Sequence, residues 1–209
     1  MIVTSRSFVV ASTIVILILS AILTYVISKT YMKTKRTHLF YWSAGLFVFT
    51  VSVLLETLMA SGIYNVFIIS LYLFLVAVLV NFLSLGSFAL YNNKKFENYY
   101  YIYSGITVIF LIITLALYPP GYLISDYIVY GPLPLPVTIS SSFVTFPAAF
   151  FIVLIAIISY KKNKNKKLLS IIAGVIIVSI AGTLYIARFP VFLYYAEFIG
   201  IVLLWIGFV

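Results

Sequence analysis

The sequence predicts an all-α membrane protein, a bundle of seven transmembrane helices with the N-terminus outside and the C-terminus inside. Three observations carry that expectation. Apolar residues make up 65% of the chain and charged residues 8%, a balance that belongs to a polytopic membrane protein and not to a soluble domain with one core. Seven segments are mainly apolar over about 20 residues, the length that crosses a bilayer. The basic residues collect in alternate connections between those segments, as orientation in a membrane requires.

The expected spans are residues 7–28, 39–60, 66–91, 99–118, 138–160, 168–187 and 191–209. The first has an apolar core too long for a signal peptide, and no small-x-small cleavage site follows it, so it is expected to stay as a span. No polar stretch is long enough for a separate soluble domain, which makes residues 1–209 one membrane domain. Lys29, Lys33, Lys35 and Arg36 lie between spans one and two, and Lys94 and Lys95 between three and four. Lys161, Lys162, Lys164, Lys166 and Lys167 lie between five and six, while the alternate side carries only Arg6 and Arg188.

The formal charge of +9 therefore reads as topology. It does not read as a nucleic-acid surface, since there is no extended basic face or stacking platform in water. Cysteine is absent, which excludes disulfides, thiolate chemistry and Cys-held zinc or iron–sulfur clusters. One histidine excludes a haem held by two histidines of this chain. No metalloprotease, phosphate-loop or serine-hydrolase motif is present. Neither an enzyme nor a cofactor is expected, and the partners are the lipid bilayer and, for a subunit, other membrane chains or further copies of this one.

Residues 119–136, PPGYLISDYIVYGPLPLP, hold too much proline for a continuous helix. This outer loop reads either as a cover folded back over the bundle or as a stiff connector in the headgroups. Tyrosines gather where spans end: Tyr99, Tyr100, Tyr101 and Tyr103 inside, Tyr118, Tyr122, Tyr127, Tyr130, Tyr194 and Tyr195 outside. Rings with a polar tip suit both interfaces, and these are expected to be anchors.

The polar groups inside the spans are the candidate functional residues. An ionised carboxylate at mid-depth costs roughly 2.5–3.5 kcal/mol on insertion scales, and Glu56 and Glu197 both fall within apolar runs. On a helix His38 and Glu56 are about five turns and roughly 27 Å apart on one line. Trp42, Gly45, Phe49 and Ser52 fall close to that line. The stripe is either the wall of a polar path or a packed seam, in which Gly45 admits a neighbour and Ser52 bonds to backbone. Glu56, Glu197 and Arg188 all belong to the outer half, where the arginine either neutralises a carboxylate or snorkels to headgroups. Asn81 and Ser84 suit interhelical hydrogen bonds, and Ser170, Gly174 and Gly182 suit close helix contacts. Pro147 should kink the fifth span, with hydroxyls nearby meeting the freed carbonyl.

Seven spans in this orientation resemble microbial rhodopsins in topology, but residues 191–209 hold no lysine and so no retinal Schiff base. Basic residues followed by His38-Leu39-Phe40-Tyr41-Trp42, then Glu56, then Leu85-Gly86 resemble a widespread group of prokaryotic seven-span membrane proteins without an assigned activity. The resemblance covers about a third of the chain. It implies a multi-pass protein of a prokaryotic cell membrane and importance for His38, Trp42 and Glu56, and it supplies no substrate. Three functions follow from the sequence. The first is a non-catalytic subunit or scaffold of a larger membrane assembly. The second is a small proton- or cation-linked transporter or channel using Glu56 and Glu197, and the third a small-ligand sensor.

Overall fold

A computed structural model describes residues 6–121, 124–125, 128–129, 132–164, 167, 169–171, 173–174, 176–177 and 191–208. The helices are α1 (Arg6–Thr34), α2 (Thr37–Ala60), α3 (Val66–Tyr91), α4 (Lys94–Leu117) and α5 (Leu135–Asn163). The described residues between 167 and 177 are helical and are called α6, and α7 is Val191–Phe208. Among the described residues, α1 to α5 are long and apolar enough to cross a membrane. That is the property of an integral membrane protein whose outward faces meet lipid.

Local chemistry sets the ends. The Asn65 side chain accepts from the Ile68 amide at 2.8 Å and caps the start of α3, which uses one of the donors a helix leaves orphaned. Asn93 does the same for α4. There Glu97 sits in the first turn, where the helix dipole favours an acid, and it pairs with Lys94 at 2.9 Å. These caps start α4 at Lys94, five residues before the apolar span begins at Tyr99. Helices α1, α3 and α5 each end on a left-handed residue, Lys35, Asn92 and Lys164. After α1 and α3 the backbone turns back at once into the next helix, so these two connections are tight turns.

Neighbouring helices are joined by polar rungs across an apolar core. The Thr24 and Thr50 hydroxyls meet at 3.1 Å and those of Ser28 and Ser43 at 2.7 Å, between α1 and α2. Thr114 and Ser140 meet at 2.6 Å between α4 and α5. Ser170 donates to the Leu203 carbonyl at 2.6 Å, between α6 and α7, and the Trp205 indole donates to the Leu19 carbonyl at 3.2 Å, between α7 and α1. Gly174 packs against the Gly200 carbonyl and Leu203. Gly182 lies outside the described residues. Pro147 sits within a continuous α5 and has no N–H for the Phe143 carbonyl. The Tyr103 hydroxyl of α4 donates to that carbonyl at 2.7 Å, so the partner is a tyrosine of the next helix and not a serine or threonine of α5.

Two opposite ends can be told apart. At one, Trp42 packs on Phe208 and Tyr41 on Tyr101, which gathers the starts of α2 and α4 with the end of α7. At the other, Arg6 donates to the Ser61 carbonyl at 2.6 Å and Phe8 packs on Tyr195. There the outer loop forms a short antiparallel ribbon, Ile124–Ser125 against Ile128–Val129. The second strand approaches α2, and Leu133, just beyond, packs against Met59, Ile69 and Tyr72. The loop backbone thus returns onto the bundle.

The tightest seam is between α2 and α3. Gly45 faces Leu79, Phe82 and Leu83, and Gly86 lies under the Trp42 ring and the His38 carbonyl. The Trp42 indole is held there by donating to the Leu83 carbonyl at 3.3 Å. A Cβ on Gly86 would overlap that ring. Gly86→Val is therefore expected to destabilise the protein by about 1–3 kcal/mol in thermal unfolding in detergent. Gly105→Ala is the control, because a Cβ there meets nothing, and it should leave the unfolding temperature unchanged or slightly higher.

Candidate functional site

The stripe of α2 divides into two parts. Its inner part is a seam: His38 is half-buried with its ring edge-on to Trp42 at 5.2 Å, and Trp42 is wedged between α3 and Phe208. Ser52 is buried and donates to its own helix at the Val48 carbonyl, 2.9 Å away. Between these groups and Glu56 the described residues Leu46 and Phe49 are apolar. Asn81 belongs elsewhere. Its amide donates to the Ser104 hydroxyl and its carbonyl accepts from Tyr100 at 3.0 Å, which ties α3 to α4 as an interhelical knot.

The outer part of the stripe is different. Glu56 is 3% exposed and Glu197 7%. α2 reaches this end with its C-terminus and α7 with its N-terminus, so residues 56 and 197 are brought to similar depth from opposite directions. The two carboxyls are close enough to act on each other electrostatically. Tyr194, one turn before Glu197, lies beside Glu56 and packs with Val53 and Ala60 of α2. Tyr194 is the hydrogen-bonding neighbour of Glu56, while Oε2 of Glu197 has no hydrogen-bond partner among the described residues. Such groups are costly to bury. Arg188, the cation expected here, lies outside the described residues.

Below Glu197 is a cavity of about 60 Å³. It runs inward along α7 past Ile201 to Leu204, roughly 10 Å at the helical rise. Across it stand Leu46 and Phe49 of α2 and Leu83 of α3. Among its described lining residues Glu197 is the sole one with a polar side chain. A second hollow opens between α3 and α4 beside Asn81 and Ser104. It faces away from the acids. No group of three or more metal-ligating side chains occurs among the described residues.

Two tyrosines depart from the anchor role. Tyr194 is 2% exposed and Tyr100 4%, while Tyr99, Tyr118 and Tyr195 are exposed as anchors should be. The signal for Tyr194 is in the sequence: it precedes Glu197 by three residues and so shares its helix face. Tyr122, Tyr127 and Tyr130 lie outside the described residues. Comparison with protein-family models, curated proteins and solved structures finds no match for this chain.

The geometry makes a statement about stability. Glu197 has an oxygen without a partner among the described residues, and the Tyr194 hydroxyl beside Glu56 can donate to the amide oxygen of a glutamine as well as to a carboxyl. Glu56→Gln and Glu197→Gln are each expected to unfold at the parent's temperature or above it, with a gain of about 1 kcal/mol or more where the acid was ionised. Differential scanning of the purified chain measures this, and a clear loss of stability would make either acid a structural tie.

Proposed function

We propose that the chain is a seven-span membrane protein, N-terminus outside and C-terminus inside, that works as a small proton- or cation-linked transporter or channel. The observation that carries this reading is the close pair of buried acids, with Oε2 of Glu197 unpartnered among the described residues, next to a cavity. Intramembrane acids are expensive, and groups of this kind mark ion pathways and proton relays. A scaffold accounts well for the glycine seams and hydroxyl rungs but gives Glu56 and Glu197 nothing to do. A glutamine pair would pack the same shape with no charge to bury.

The seven-span reading takes α6 and α7 as the last two crossings beside the five long helices. The orientation rests on the lysine turns after α1, α3 and α5, the side that stays in the cytoplasm under the positive-inside rule. The acid pair then lies in the outer half of the bundle.

Transport is tested with the purified full chain in liposomes that hold a pH-sensitive dye, under an imposed potential. Flux above that of protein-free vesicles is expected. Glu56→Gln and Glu197→Gln should each lower it about ten-fold or more, the size of losing an ionic contact. Absence of flux, or flux untouched by both changes, overturns the reading in favour of the scaffold. Orientation is tested with single cysteines in this cysteine-free chain. In intact cells an impermeant maleimide should label Gly62→Cys and leave Lys33→Cys unlabelled until the membrane is opened, and the reverse pattern inverts the topology.

A further inference from the structure

We propose that the cavity beneath Glu197 binds a short alkylammonium ion, its ammonium group on Glu197 and its alkyl group against the apolar walls. This rests on the reading of Glu56 and Glu197 as an ion-binding pair and names what the pair binds.

The argument starts from the lining. Leu46, Phe49, Leu83, Ile201 and Leu204 present hydrocarbon, and Glu197 presents one carboxyl whose Oε2 is buried and unpartnered among the described residues. Divalent metal cations are held by a shell of about six or more oxygens, and a dehydrated potassium ion by rings of carbonyls. One carboxyl in a hydrocarbon chamber offers neither. Water fares no better, because a buried water needs two to four polar partners and the described lining supplies one polar side chain. The proton alone would need no chamber at all.

An alkylammonium meets each of these conditions. Its N–H groups donate to Oε2 in a charge-assisted bond, and Glu56 brings a second carboxyl close to Glu197 at the same end. Its carbon atoms remove apolar wall from contact with water or void. Size fixes the length. At about 60 Å³, and roughly 10–15 Å³ of probe-occupied volume per water-sized group, the cavity holds about four to six such groups, which admits methylammonium or ethylammonium and not a bulky quaternary ion. The charge is placed as well: the lysine turns lie at the opposite end of the bundle, away from the site.

The test is equilibrium binding to the purified full chain in detergent, with no transport step. Ethylammonium chloride is titrated at constant ionic strength against sodium chloride, ethanol and tetraethylammonium, by thermal unfolding and by calorimetry. Ethylammonium is expected to raise the unfolding temperature, and the other three to leave it where the buffer does. Glu197→Gln should weaken ethylammonium binding about ten-fold or more. Val80→Phe fills the chamber from α3 without touching the acid and should abolish binding, while Ile109→Phe, in the other hollow, should not change it. Equal shifts with sodium or ethanol, or an unaltered titration in Glu197→Gln, overturn the proposal. If a substituted chain does not fold, ethylammonium against sodium on the parent chain decides alone. A chain that carries protons but ignores ethylammonium loses this inference and keeps the transport reading. Ethylammonium binding without flux does the opposite.

Discussion

An apolar slab offers no water to a polar group, so each one inside it must find a partner in the protein. That constraint organises the whole bundle. The Trp42 indole goes to the Leu83 carbonyl, Trp205 to Leu19, Ser170 to Leu203. Asn81 shares Ser104 and Tyr100. Even the carbonyl freed by Pro147 is met, by Tyr103 from the next helix. Each of these bonds crosses between helices, so the same pairing that satisfies the chemistry also fixes which helices are neighbours. Interhelical bonds of this kind contribute about 0.6 kcal/mol each on average and up to about 1.7. Their value lies as much in register as in energy.

Against that background the exceptions are informative because they are concentrated. Oε2 of Glu197 lacks a partner among the described residues, and Glu56, with Tyr194 beside it, lies close to Glu197 at the same end. Ser84 is the further exception, with its hydroxyl near Tyr100. A hydroxyl left over in a crowded seam is a small cost. Two carboxyls buried together are a large one, since two negative charges at close range in low dielectric repel as well as desolvate.

Much of the fold was legible before any coordinates. Helix and membrane length were visible in five long segments because a run of about 20 apolar residues has few alternatives. The inward face of α2 was visible because Gly45, Ser52 and Glu56 share one line with His38 and Trp42. The boundaries were less so: α4 starts at Lys94, not at Tyr99, because the Asn93 cap and the Glu97–Lys94 pair extend the helix beyond the apolar run. Neighbour relations were not legible, since they depend on which ridges pack into which grooves. That is why Asn81 could be assigned to a hydrogen bond but not to Ser104 and Tyr100. The tyrosines failed for a related reason. Ring type points to the interface, but depth and helix face decide, and Tyr100 and Tyr194 face inward.

The position of the positive charge bears on what the acids are for. The basic residues of the chain fall mostly in the turns after α1, α3 and α5, at the end where Trp42 meets Phe208. Glu56 stands near the other end of α2, roughly 27 Å along the helix from His38. At such a separation, several times the Debye length of about 8 Å in physiological salt for any exposed charge, the lysines do not neutralise the pair. Lys94, which lies nearer the basic end, is already engaged with Glu97. Arg6 reaches the acid end but spends a donor on the Ser61 carbonyl. The proposed ion-binding role rests on this arrangement, a pair of carboxyls at the end of α2 opposite the lysine turns and next to an apolar cavity. Had the same residues served only to hold helices together, placing them one level away from a lysine turn would have sufficed.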